Sequence, residues 1–168
     1  MLRPQDILVL LKLAADGEKP WTYVSLSVAL GMSPSEVHAG VRRATEVGLL
    51  SLDARRLNRT ALLEFLVHGL RYVFPPQRGS ATRGLPTAHA APPLSREVAS
   101  GDELPPVWPL PEGEVRGEAF SPLYRSAPMA AKADPRLYEY LALVDAIRGG
   151  RARERQLAAR LLRERLAQ

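Results

Sequence analysis

Along residues 4–16 the apolar positions Ile7, Leu8, Leu10, Leu11 and Ala14 recur at helical spacing, with Pro4 suited to a first turn and Gly17 to a stop. A second helix is predicted over residues 22–30, where Val24, Leu26, Val28 and Leu30 supply apolar contacts until Gly31-Met32-Ser33 breaks the pattern. The third helix, residues 34–47, has a strong start. Ser33 stands as N-cap, Pro34 takes the first helical position, and Glu36, three after Ser33, completes a capping box. Gly48 ends it. Residues 49–52 then read as a short strand, and residues 53–57, with Arg55 and Arg56, as a polar connection. A fourth helix over residues 59–67 carries Leu62, Leu63, Phe65 and Leu66, with Asn58 or Thr60 as its cap.

Beyond residue 70 the pattern changes. Residues 70–74 alternate enough to read as a strand, ended by Pro75-Pro76. Residues 77–93 are rich in small side chains and read as loop. Within them residues 79–84 read as an exposed turn, because the Lys-Ser/Thr ending of a phosphate-cradling loop is missing. Val107-Trp108 and residues 115–120 read as short strands around a turn at Glu112-Gly113, with Trp108, Phe120 and Tyr124 as apolar anchors. Helical spacing returns in the stripe Leu137, Tyr140, Leu141, Val144 and Ile147. After Gly149-Gly150 a second stripe follows, Leu157, Leu161 and Leu162. Two such stripes exceed what a lone helical hairpin can hide. They either cover the N-terminal helices or meet a second copy of the chain, and the expectation is dimerisation through these eight residues.

Twelve of the 15 prolines lie between Pro75 and Pro135, which sets the boundaries. Residues 1–70 form one helical domain, residues 71–133 a Pro-rich, loop-rich packed segment with short strands, and residues 134–168 the C-terminal helices. The fold class is mainly α with a few short strands.

Composition removes several kinds of chemistry. Without Cys there is no disulfide, no Cys-ligated zinc and no Cys nucleophile. His38, His68 and His89 lie far apart in sequence, and no acid, base and nucleophile stand at catalytic spacing. The expectation is therefore a protein with no enzymatic activity, no catalytic residues, no bound metal and no cofactor. The longest apolar run, residues 7–11, is too short to span a bilayer, and Asp6 stands where a signal peptide would be apolar, so a cytoplasmic location is expected. A net charge of +5, carried almost entirely by arginine, is compatible with a nucleic-acid partner.

Residues 23–50, YVSLSVALGMSPSEVHAGVRRATEVGLL, resemble the helix-turn-helix of winged-helix transcriptional regulators, broadly of the MarR type. In that comparison Ala29 is the small residue where the two helices cross, and Gly31 permits the tight turn. Val37, Val41 and Ala44 face the first helix, and Gly48 leads into the strand before the wing. The stretch that stands at the wing, residues 49–57, is short and has no obvious hairpin turn. The resemblance implies that helix 34–47 enters the major groove of double-stranded DNA. Ser35, His38, Ala39 and Arg42 then share the exposed face, with Ser33 and Glu36 at the positive helix end, Arg43 toward phosphate, and Arg55 and Arg56 near the wing. The function expected is a sequence-specific regulator, a homodimeric repressor. The rival is a protein-interaction module, such as an antitoxin or adaptor, whose helix-turn-helix only autoregulates.

Overall fold

The computed structural model of the protein describes residues 1–53, 55–99 and 101–167. Its first three helices begin and end where their side chains dictate. Helix α1 (Pro4–Asp16) has Pro at its start and stops at Gly17, whose φ of 69° suits a residue without Cβ. Helix α2 (Tyr23–Leu30) is capped by Thr22, whose Oγ1 accepts from the Ser25 amide at 2.9 Å. Helix α3 (Pro34–Glu46) carries the expected capping box: the Glu36 amide donates to Ser33 Oγ at 3.1 Å and the Ser33 amide to Glu36 Oε2 at 2.9 Å. Two-residue strands follow, β1 (Leu50–Ser51) and β2 (Arg56–Leu57), paired antiparallel. The polar connection expected at residues 53–57 thus closes a small hairpin. Its reversal uses Arg55 at φ 51°, where a glycine would have been the readable signal. Helix α4 (Arg59–His68) starts from Asn58, whose Oδ1 accepts from the Ala61 amide at 3.1 Å.

Residues 70–74 are not the expected strand. Leu70–Val73 forms a short helix, α5, in which the Phe74 amide donates to the Leu70 carbonyl at 2.8 Å. Leu70 is buried while Tyr72 and Val73 are exposed, so the segment buries one edge and not an alternating face. The residues expected as loop and exposed turn contain a nine-residue strand, β3 (Arg78–Pro86). It pairs antiparallel with β4 (Pro106–Pro109) and β5 (Val115–Phe120), which pair parallel with each other, so the three close on themselves. Closure this tight needs glycine. A Cβ on Gly84 would lie 2.0 Å from the Trp108 carbonyl oxygen, one on Gly113 2.4 Å from Gly84 Cα, and one on Gly117 2.1 Å from the Pro105 carbonyl oxygen.

After β5 come α6 (Ala127–Ala133), α7 (Pro135–Gly149) and α8 (Ala152–Leu166). The apolar side chains of all three segments merge into one core. Helices α1 and α7 lie at its centre and touch each other, with α1 also against α2 and α3, and α7 also against α5, α6 and α8. From Tyr140 to Arg148 every residue of α7 is buried, so its apolar surface runs all round rather than in one stripe. The residues expected at a dimer interface are thereby accounted for within one chain. Leu137, Tyr140, Leu141, Val144, Ile147, Leu161 and Leu162 are buried, and Leu157 is partly buried against the same core. The N-terminal helices occupy the face that a second copy would need.

Polar groups inside this core are few, and apart from the Ser126 hydroxyl, which has no partner among the described residues, the main ones are paired. Asp145, fully enclosed, accepts from Thr87 Oγ1 and Trp108 Nε1, both at 2.7 Å, and from Arg148 Nη1 at 2.8 Å. Arg148 also donates from Nε to the Phe74 carbonyl at 2.9 Å and from Nη1 to the Ser121 carbonyl at 3.1 Å. At the other end of α7, Asp134 accepts from the amides of Arg136 and Leu137 and from Lys12 Nζ at 2.6 Å, fastening α7 to α1.

Two outcomes follow. Leu141→Ala is expected to lower the unfolding free energy by about 2–5 kcal/mol in urea titrations. A loss below about 0.5 kcal/mol, the range of surface substitutions, contradicts its place in the core. The second concerns pH. Burial pushes the Asp134 carboxyl up, but Lys12 and the amides at the start of α7 outweigh it and hold it below its ordinary value of 3.8. A depressed acid adds stability above that ordinary value and loses it as pH falls through the folded one. The stability difference between wild type and Lys12→Met is therefore expected at pH 7 and to shrink below pH 3.8. A difference unchanged between pH 7 and pH 3 in urea titrations contradicts the assignment.

Candidate nucleic-acid interface

The α2–α3 pair is held by its turn. Gly31 adopts the left-handed conformation (φ 63°, ψ 35°) and its amide donates to the Ser27 carbonyl, while Met32 tucks into the core. Val37, Val41 and Ala44 are buried on the inner side of α3, as expected. Ala29 is exposed and does not sit at the helix crossing; α2 buries Leu26, Ser27 and Leu30 instead. At the far end of α3, Gly48 (φ 80°) and Leu49 return their amides to Thr45 and Ala44 and turn the chain into β1.

The nine residues named from the sequence separate by what they touch. Ser35, His38 and Arg42 are exposed on one face of α3 with half-buried Ala39, and Arg42 has no hydrogen bond or ion pair among the described residues. Ser33 is committed to the cap of α3. Glu36 is committed twice. Its Oε2 serves that cap, and its Oε1 accepts from the Tyr124 hydroxyl at 3.1 Å and faces Arg125 at 3.5 Å. The Ser33 amide, the Tyr124 hydroxyl and Arg125 hold this carboxyl below its ordinary range against the opposing effect of desolvation.

Arg43 points the other way. Its Nε and Nη2 each lie 2.8 Å from one oxygen of Asp6, a bidentate pair on a carboxylate with no solvent exposure that also accepts from the Arg3 amide. A Cβ at position 40 would stand 2.9 Å from Asp6 Oδ1, so Gly40 makes room for the pair. The expected phosphate contact from Arg43 is corrected: this guanidinium fastens α3 to α1. Neither Asp6 nor Gly40 was expected at this site; the one sequence signal is an acid directly before the apolar run of residues 7–11.

The hairpin brings the remaining two arginines close. Arg55 Cζ lies 3.9 Å over the Trp21 ring, and the two residues exchange hydrogen bonds, Arg55 Nη2 to the Trp21 carbonyl at 2.6 Å and Trp21 Nε1 to the Arg55 carbonyl at 3.4 Å. Trp21 meets Tyr23 edge-on at 5.7 Å between centroids, and Tyr23 meets His38 at 5.0 Å. A continuous row of rings therefore joins the hairpin to the exposed face of α3. Arg56 extends into solvent, 3.7 Å from an equally exposed Glu18. Beneath the hairpin lies a cavity of ≈ 190 Å³ whose lining includes Lys19, Arg55, Arg56 and Arg59 against a single acid, Glu18.

Elsewhere, His68 is exposed, and His89 Nδ1 lies 3.5 Å from Glu154. Among the described residues no helix is long and apolar enough to cross a membrane, and no group of three or more His, Asp or Glu is placed to hold a metal ion. No protein-family model, no curated protein and no solved structure matches the chain.

Arg43 and its neighbour Arg42 are expected to behave oppositely. Arg43→Ala strands the buried Asp6 carboxylate and should cost about 3–5 kcal/mol of stability. Arg42→Ala should leave the denaturant midpoint within about 0.5 kcal/mol of wild type. Equal effects in urea unfolding would contradict the division of roles.

Proposed function

We propose that α1–α4 and the β1–β2 hairpin act as a winged helix-turn-helix, and that the protein is a sequence-specific DNA-binding transcriptional regulator, a repressor that reads two half-sites as a homodimer. The observation that carries this reading is the row Arg55–Trp21–Tyr23–His38, which makes the free face of α3 and the arginine-bearing hairpin one continuous surface. On it Ser35, His38 and Arg42 meet base edges from α3, with Arg42 the residue fitted to guanine. Arg56 and Lys19 meet phosphates flanking the groove. Ser33, Glu36 and Arg43 hold α3 in position and do not read bases. A second copy would have to use a surface other than the C-terminal stripes, since those are internal.

One observation favours the rival reading, a protein-interaction module. Val24 and Val28, one turn apart on α2, are 63% and 78% exposed. Such a pair fits a protein surface better than a phosphate backbone.

Gel-shift titration against the DNA upstream of the protein's own coding sequence tests the proposal. Arg42→Ala is expected to weaken binding about 5- to 150-fold, equivalent to 1–3 kcal/mol for a lost base contact. Arg56→Ala is expected to weaken it evenly across sequences and to lower the salt slope by about 1. No retarded species at low salt overturns the proposal. Retardation lost with Val24→Asp/Val28→Asp but kept with Arg42→Ala moves the function to the α2 surface.

A further inference from the structure

A second basic site lies away from α3 and the hairpin. Between α4–α5 on one side and α7–α8 on the other is a cleft of ≈ 270 Å³ lined by Arg71, Arg155, Arg163 and Gln156, with Val67, Ile147 and Ala159 as its apolar part. No carboxylate stands among its described lining residues. Several other surface arginines are each matched by an acid. Arg78 pairs with Glu118, Arg125 with Glu36, Arg151 with Glu103, Arg160 with Glu97 and Arg165 with Glu139. The nearby cavity of ≈ 280 Å³ at Tyr140 likewise holds Glu139 and Glu164 beside Arg136 and Arg165.

Within the cleft the guanidiniums keep donors to spare. Arg155 spends Nη1 on the Gly150 carbonyl at 2.8 Å, Arg71 lies over the Tyr72 ring at 4.9 Å, and neither Arg71 nor Arg163 meets a carboxylate among the described residues. Positions 155, 159 and 163 are spaced i, i+4, i+8, so Ala159 leaves a gap between two arginines of one helix face. Those two Cα atoms stand about 12 Å apart along the axis, with Arg71 on the facing wall. Three permanently charged forks that line one space repel each other until an anion enters, and the forked guanidinium matches phosphate oxygens in pairs. The volume lies just below the usual range for small-molecule pockets, about 300–1,000 Å³, which excludes a large ligand. The apolar portion gives a carbon skeleton somewhere to rest.

We propose that this cleft binds the phosphate or diphosphate group of a small organic molecule, held by Arg71, Arg155 and Arg163. Its walls come from residues 67–71 and 147–163, so occupancy clamps α8 against α4–α5. The site is independent of the DNA-binding reading.

The probe is sodium pyrophosphate, titrated calorimetrically into the full-length protein in low-chloride buffer. Saturable 1:1 binding is expected, weakened at least tenfold in Arg163→Gln and undetectable in Arg71→Gln/Arg163→Gln. Both substituted residues lie at the cleft opening, and circular dichroism checks that the variants melt with wild-type cooperativity. If the double variant unfolds, Arg163→Gln and Arg71→Gln singly carry the test. No saturable binding to wild type, or binding indifferent to every substitution, overturns the proposal. Gel shifts then separate the source of the phosphate. Unchanged DNA retardation in the variants supports a small-molecule site. Retardation lost in the variants, with no pyrophosphate binding to wild type, assigns the arginines to the nucleic-acid backbone and overturns it.

Discussion

A carboxylate with no access to water cannot stand alone in an apolar core, and the whole arrangement around Asp145 follows from that constraint. The donors that satisfy it come from distant parts of the chain: Thr87 just past β3, Trp108 in β4, and Arg148 one turn along α7. Arg148 in turn donates to the carbonyls of Phe74 and Ser121, at the entrance to and exit from the three-stranded unit. Both ends of that unit are thus fixed to one helix. Trp108 and Phe120 add buried apolar area, which carries no direction; the polar network supplies the orientation.

The N-terminal helices depend on a smaller version of the same device. Asp6 is buried at the start of α1 and Arg43 answers it from α3, with Gly40 giving the clearance. Arg43 is thereby withdrawn from solvent while Arg42, one residue earlier, is left free. The exposed side of α3 carries Ser35, His38, Arg42 and Glu46 beside the half-buried Ala39, extended sideways by the rings of Tyr23 and Trp21 to the hairpin. Charge on this surface is sparse, and its placement matters more than its amount.

What the sequence made legible was local. Helix starts were readable because a capping box or an N-terminal proline acts within four residues, and the strand at residues 115–120 because Val115 and Phe120 bracket a β-like run. Strand β3 was hidden for a physical reason. Most of its side chains are exposed, so no alternation marks it, and it exists through backbone pairing and glycine clearance. The short helix at Leu70–Val73 misled because five residues, with Arg71 among apolar neighbours, are too few to separate a period of 2 from one of 3.6. Half of the candidate site was equally invisible. Whether an arginine on a helix faces DNA or a carboxylate 37 residues away is settled by packing, and adjacent arginines took opposite fates. The C-terminal stripes were correctly seen as too apolar for solvent. Their partner was the other end of the same chain.

The closed three-strand unit restricts how this protein can change over evolutionary time. At positions 84, 113 and 117 any side chain larger than hydrogen collides with main-chain atoms, which have no rotamer to yield. Elsewhere on β3 most side chains point to solvent and are free to drift. Descendants of this chain would therefore be expected to lose recognisable similarity through most of β3 while keeping three glycines at fixed separations. With them would stay an aspartate and an arginine three residues apart on the helix beneath.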